Sequence, residues 1–336
     1  MPDSNPNTVT VPQAAVPSRP RVSWLRGNAQ ILAALGALVL LFLFNALFTP
    51  HFLSVQTLNV NLTQVATIVI VAVGMTLVIA SGGIDLSVGA LMAISGALAP
   101  MLFLHPPFGS PALGILLAFT VPVLVAGVFG LFNGTLVTRF GIQPFIATLI
   151  LFIAGRGIAQ VMTNGQLQTF SNTTFQYIGL GRPFGIPFQV ILMLVIVALF
   201  AWIMARTVFG RYVLAVGGNE RAAGLAGVPV RRVKLLVYGI SGLLAGIAGL
   251  IVIAINSSSD ANQVGLNMEL DAIAAVAVGG TALTGGRATI IGTLLGALII
   301  QLIRFTLLAK GVPDAAALVV KAAIILLAVY VQRQQH

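Results

Sequence analysis

Gly74-Met75-Thr76-Leu77-Val78-Ile79-Ala80-Ser81-Gly82-Gly83-Ile84-Asp85-Leu86-Ser87-Val88-Gly89 begins as an unbroken apolar run and is then interrupted by two glycines and an acid. Glycine is among the poorest helix formers, so a helix should break near Gly82. Backbone groups freed in a hydrocarbon environment must be satisfied inside the protein or by water lining a cavity. A break of this kind therefore points toward a transport pathway. Asp85 has two readings. It can cap the following helix by accepting its free N–H groups, or it can serve as an ion-coupling carboxylate.

The rest of the chain supplies the setting. Of 336 residues, 58% are hydrophobic and 7% are charged, whereas a soluble domain carries about 25% charged residues. The apolar excess falls in stretches of roughly 15 to 25 residues, the length a helix needs to cross a hydrocarbon core about 30 Å thick. The expected fold class is an all-α polytopic membrane protein of about ten transmembrane helices, with broken helices near Gly82 and Gly285. The spans are expected at 29–48, 65–80, 89–104, 112–138, 143–162, 188–205, 235–255, 269–283, 288–305 and 315–332. Residues 1–28 are rich in Pro, Ser, Asn and Thr and read as a disordered cytoplasmic tail, with Arg19, Arg21 and Arg26 ahead of an uncleaved first span. Residues 29–333 form the membrane domain.

Lys and Arg number 17 against 7 Asp and Glu, a net charge of +10. The charges sit in loops, so they report topology rather than affinity for nucleic acid. With both termini inside and strict alternation, Arg139, Arg333 and the basic loop 206–234 all fall on the cytoplasmic side. That loop holds Arg206, Arg211, Arg221, Arg231, Arg232 and Lys234 against one acid, Glu220. The loop 163–187 has the single basic residue Arg182 and belongs outside.

Several chemistries lack their residues. Cysteine is absent, which excludes disulfides and thiol nucleophiles. His51, His105 and His336 are far apart and form no HExxH, so a metal site has no support. No GxxxxGK[ST] occurs, so any ATP coupling comes from another subunit. An ordinary enzyme is not expected.

Val71-Ala72-Val73-Gly74 recurs as Val276-Ala277-Val278-Gly279, and each copy leads to a glycine pair, Gly82-Gly83 and Gly285-Gly286. The echo fits a duplicated element, or chance in a glycine-rich chain. Glu269 and Asp271 open an apolar segment where the helix dipole favours acids. Arg156, between Gly155 and Gly157, either snorkels or pairs with an acid within a tightly packed span, or else lines the pathway. Asn59, Asn61, Thr63 and Gln64 follow the first span, while Gln160, Asn164, Gln166, Gln168 and Asn172 lie in or beside the outer loop. Of these, Asn61, Gln64, Gln160 and Asn164 are the candidate substrate contacts. So few charges in the spans imply a neutral, polar cargo.

Gly217-Gly218-Asn219-Glu220-Arg221-Ala222-Ala223-Gly224-Leu225-Ala226-Gly227-Val228-Pro229 reads as turn, short helix, turn, with Asn219 as N-cap. Such a helix can dock into a soluble partner, or its basic loop can lie against anionic membrane lipids.

Three of these blocks carry a resemblance to a family. Gly74 to Gly89, Gly210 to Lys234, and Glu269-Leu270-Asp271-Ala272-Ile273 through Gly285-Gly286 resemble the inner-membrane permease subunits of bacterial ABC-type importers for ribose, xylose and galactofuranose. The likeness covers about residues 29–333. Ile142 to Ile150, Ala154 to Gly157 and Asp260-Ala261-Asn262 look most like the galactofuranose members. The resemblance implies a permease in the bacterial inner membrane that binds no cofactor itself. Its implied partners are a second permease subunit, cytoplasmic ATP-binding subunits and a periplasmic sugar-binding protein. It makes Asn219, Glu220, Arg221, Ala222, Ala223 and Gly227 the coupling segment, and Gly82, Gly83, Asp85, Gly285 and Gly286 flexing points on the path. A branched-chain amino-acid permease and a secondary transporter driven through Asp85 and Glu269 stand as alternatives.

Overall fold

A computed structural model describes residues 29–313 and, beyond them, 315–320, 322–323 and 326. The N-terminal tail, Arg333 and much of the tenth expected span lie outside the described residues. The helices are α1 (Ala29–Phe48), α2 (Val55–Ala80), α3 (Val88–Leu104), α4 (Pro111–Thr138), α5 (Pro144–Met162) and α6 (Thr173–Leu180). They continue as α7 (Phe188–Arg206), α8 (Val208–Gly218), α9 (Glu220–Leu225), α10 (Val230–Asn256), α11 (Met268–Val278) and α12 (Ile290–Ala309). One two-residue antiparallel pairing joins β1 (Gln168–Thr169) to β2 (Ser258–Ser259).

The fold is all-helical in its essentials, as the apolar runs imply. Seven helices among the described residues, α1, α2, α4, α5, α7, α10 and α12, are long and apolar enough to cross a membrane. The count of about ten is not reached by this measure, because α3 has 17 residues and α11 only 11. Eleven residues at 1.5 Å each make about 16 Å, half a hydrocarbon core.

Other boundaries differ for physical reasons. The second helix starts at Val55, capped by Ser54, rather than at 65. Asn59, Asn61, Thr63 and Gln64 therefore ride on its first turns instead of preceding it. Their polarity mimics a helix end, yet they find partners: Asn61 Nδ2 donates to the Thr57 carbonyl at 3.0 Å and Thr63 Oγ1 accepts from Gln189 Nε2 at 3.0 Å. The segment expected at 269–283 stops at Val278, where Gly279 and Gly280 follow. The loop 163–187 contains α6, capped by Asn172, and β1. Gly217 and Gly218, read as a turn, are the last residues of α8.

The core forms around α2, whose residues Val65 to Ala80 are all buried. It packs against α7, α10, α11 and α12, and α10 lies most closely on α4. Lipid tails remove the hydrophobic drive between helices, so contact depends on close approach through small residues. Gly130 of α4 lies against the Tyr238 carbonyl and Gly242 of α10 against that of Ala126, leaving no room for a side chain at either point.

Candidate functional site

The break after α2 turns on Gly82, with φ 82°, a backbone glycine adopts at little cost. At 1.5 Å per residue the 26 residues of α2 span about 39 Å, so the break falls at the end of a complete crossing rather than within one. Asp85 holds the break closed. Its Oδ1 accepts from the Ser87 backbone N–H at 3.0 Å and from Ser87 Oγ at 2.6 Å, and its Oδ2 accepts from Ser241 Oγ of α10 at 2.8 Å. Asn133 Nδ2 of α4 donates to Ser87 Oγ at 2.9 Å. The carboxylate thus serves the residue that caps α3, not an N–H of the helix itself, and ties the break to two other helices. It is fully buried, and each of its oxygens accepts at least one hydrogen bond, as a buried polar group requires.

The second glycine pair lies in the connection 279–289, where Gly285 has φ 89° and Gly286 φ 77°. Far from the first pair along the chain, it touches the same place in space. Gly286 N–H donates to the Ala80 carbonyl at 3.0 Å, so the second break hydrogen-bonds to the last turn of α2. Between them sits the end of α8: a Cβ on Gly217 would overlap the Ala80 carbonyl oxygen and come within 2.6 Å of Gly286 N. One on Gly285 would stand 3.1 Å from the Cα atoms of both Gly217 and Gly82. Three glycine pairs, 82–83, 217–218 and 285–286, meet at one junction where backbone touches backbone.

One residue past this junction begins α9. Asn219 Oδ1 accepts from Ala222 N at 2.9 Å, the N-cap its sequence predicts. Glu220 lies in the first turn and pairs with Lys234 of α10. Ala223 is buried, while Arg221 and Ala222 face outward, and Gly227, with φ 82°, turns the chain back. Leu225 is 92% exposed. A cavity of about 640 Å³ opens beside α9, lined among others by Val137, Gly141, Arg221, Leu225 and Arg231.

The half-length α11 raises the problem of unpaired backbone on both sides. Arg156 solves it on one side: Nη1 donates to the carbonyls of Ala261 at 2.8 Å and Val264 at 2.6 Å, and Nη2 reaches that of Gly89 at 3.4 Å. On the other side Thr289 Oγ1 donates to the Gly279 carbonyl at 2.8 Å and Thr289 N–H to Thr281 Oγ1 at 3.1 Å. Arg156 therefore hydrogen-bonds to carbonyls, while the carboxylates of Glu269 and Asp260 act on it through charge. Glu269 and Asp271 occupy the first turn of α11, and Glu269 Oε2 is buried without a hydrogen bond. Replacing Arg156 by lysine keeps the charge but not the planar fork. We expect a stability loss of about 2 kcal/mol, with faster amide exchange confined to residues 257–267, measured by hydrogen–deuterium exchange in detergent.

The four candidate cargo contacts fall into two groups. Gln301 Nε2 of α12 donates to Gln64 Oε1 at 2.6 Å and to Asn61 Oδ1 at 3.3 Å. Gln160 Nε2 donates to Asn262 Oδ1 at 2.7 Å, and Asn164 lies exposed in a turn with φ 49°. No hydrogen bond joins the groups among the described residues. The partners Gln301 and Asn262, and with them Ser241, Asn133, Gly217 and Leu225, were not among the site residues singled out from sequence. Gly217 carried a local signal, as part of a third glycine pair, and Asn262 and Leu225 lay within stretches that the sequence marked out.

The described bundle thus combines seven helices long and apolar enough to cross a membrane with a half-length helix whose following glycines touch the end of α8, next to the surface helix α9. The chain belongs to a permease family, described as branched-chain amino acid transport system / permease component, which matches residues 56–329. Within it, the chain is 40% identical to the galactofuranose transporter permease protein YtfT of Escherichia coli, over all of this chain and 96% of that protein. It is 40% identical to the ribose import permease protein RbsC of Escherichia coli over 94% of this chain and 96% of that one. To the fructose import permease protein FruF of Bifidobacterium longum it is 38% identical, over 75% and 70%. No solved structure matches it. The chain is a membrane-embedded permease subunit of an ABC-type transport system.

Proposed function

We propose that the chain forms part of the translocation path of an importer for a monosaccharide, galactofuranose being one candidate, and that it performs no chemistry of its own. Similarity over nearly the full length to permeases named for sugars supports the cargo class. The family description names branched-chain amino acids; a zwitterion would need paired counter-charges, and the described spans hold few.

The observation that carries the mechanism is the junction of three glycine pairs one residue from α9. The segment 206–234, with α9 at its centre, docks to a cytoplasmic ATP-binding subunit. Its exposed Arg221 and Leu225 and the adjoining cavity suit a protein surface better than a lipid headgroup layer. Closure of the ATPase pair moves α9, and Gly217-Gly218 passes that movement to both breaks. A second permease copy or sister subunit, and a periplasmic sugar-binding protein, complete the machine in the inner membrane.

The membrane domain, 29–333, crosses ten times in this reading: the seven long helices with α3, α11 and the helix that includes 315–320. The basic loop supports a cytoplasmic α9, which makes both termini cytoplasmic. Asn61, Gln64, Gln160 and Asn164 are contacts for sugar hydroxyls when the path opens.

Replacing residues 220–225 by a glycine–serine linker should reduce sugar uptake in cells to background while the chain still reaches the membrane. Uptake that persists sinks the coupling role. Transport by the purified chain without ATP would instead favour a gradient-driven carrier.

A further inference from the structure

Two turns at the end of the bundle opposite α9 share both sequence and backbone. Pro107-Phe108-Gly109-Ser110-Pro111 and Pro183-Phe184-Gly185-Ile186-Pro187 both read Pro-Phe-Gly-x-Pro. In each, the phenylalanine takes a left-handed conformation, φ 55° at Phe108 and 56° at Phe184. The rings are 98% and 99% exposed. Left-handed backbone is unfavourable for a bulky residue and bare aromatic surface is unfavourable in water, so such pairs of features mark functional surfaces.

The helices that precede the two turns, α3 and α6, share one aromatic base. Phe103, five residues before Phe108, packs on Phe175 with ring centroids 4.8 Å apart, and Phe175 stacks on Phe119 of α4 at 5.1 Å. Each turn leads at once into a spanning helix, α4 at Pro111 and α7 at Phe188. The flanks of those helices expose apolar side chains, Leu116 and Leu124 on α4, Leu194 and Val195 on α7. Three or four residues cover at most about 10 to 14 Å, so the rings lie close to where hydrocarbon meets headgroups. Charge agrees with that depth: exposed Arg182 directly precedes the second turn, and 99–115 and 163–187 contain no acid.

We propose that the two turns are wedges that seat Phe108 and Phe184 in the boundary between lipid headgroups and acyl chains, with Arg182 on the phosphate of an anionic lipid. Apolar residues such as Phe, with Lys or Arg on the polar side, are the combination that lies in the boundary between headgroups and acyl chains. Two wedges of fixed geometry hold the α3–α4 and α6–α7 corners at constant depth while the glycine junction moves. The inference rests on the chain spanning a bilayer and not on which solute passes.

The test places tryptophan at Phe108 or Phe184 in a chain whose Trp24 and Trp202 are phenylalanine, reconstituted in liposomes of phosphatidylethanolamine and phosphatidylglycerol. Expected are blue-shifted emission, strong quenching by lipids brominated near the headgroup and weak quenching by iodide, whereas Gln166→Trp on the same side shows the reverse. In Phe184→Trp, adding Arg182→Gln should remove the difference between liposomes with and without phosphatidylglycerol. Iodide-accessible tryptophans indifferent to brominated lipid overturn the proposal, as does shielding only when a soluble binding protein is added. A photoactivatable phosphatidylglycerol applied to the unaltered chain gives a second readout independent of folding of the variants. It should label 105–110 and 181–187, and labelling elsewhere without these segments overturns the proposal equally.

Discussion

Gly217→Val should reduce sugar uptake by roughly 5- to 150-fold, the range spanned by 1–3 kcal/mol of overpacking at a moving contact. The new Cβ would collide with the Ala80 carbonyl and press on Gly286 N, backbone atoms that cannot rotate away. The hydrogen bond from Gly286 to Ala80 would be forced open, and both breaks would separate from α8. Neighbouring Gly218 is a built-in control: a Cβ there meets only the Cα of Gly286, at 4.0 Å, so Gly218→Ala should leave uptake within about twofold. The comparison is made with ATPase activity measured alongside uptake in reconstituted complexes. Hydrolysis that continues while transport stops locates the lesion in transmission. Equal behaviour of the two variants would remove the junction from the coupling route.

Asp85→Ala should be the most destabilising single change near the path, at about 2–5 kcal/mol. It strands Ser87 N–H, Ser87 Oγ and Ser241 Oγ, three donors now aimed at one buried carboxylate. Asp85→Asn keeps an acceptor oxygen in the same place and should retain most of the stability and most of the uptake. A drop in detergent melting temperature for alanine but little for asparagine identifies a fastening role. Full loss of uptake in Asp85→Asn with an unchanged melting temperature would mean that the carboxylate's charge is itself used, as an ion-coupled carrier requires. The three hydrogen bonds that Asp85 accepts from Ser87 and Ser241 are the physical ground for expecting the first outcome.

Both results depend on contacts that a one-dimensional reading anticipates unevenly. The break at Gly82 is legible because a glycine pair in an apolar run has a local cost, and the start of α9 is legible because an N-cap acts within three residues. The position of Asp85 before a helix is legible too, but its partner Ser241, 156 residues away, is not. Polarity misled at the start of α2, where Asn61 and Gln64 look like a loop because their partner Gln301 is 240 and 237 residues distant. Arg156 could be placed in a span, but the carbonyls it holds lie more than a hundred residues ahead, apart from that of Gly89.

By itself, then, the sequence determined what short-range physics determines: an apolar chain too poor in charge for water, helices long enough to cross lipid, breaks at glycine pairs and a capped surface helix. The tertiary structure alone decided which breaks touch. Gly82, Gly217 and Gly285 are separated by long stretches of chain, and each glycine has the same freedom wherever it stands. Only the packing of α2, α8 and the 279–289 connection brings their backbones close enough that a single methyl group would part them.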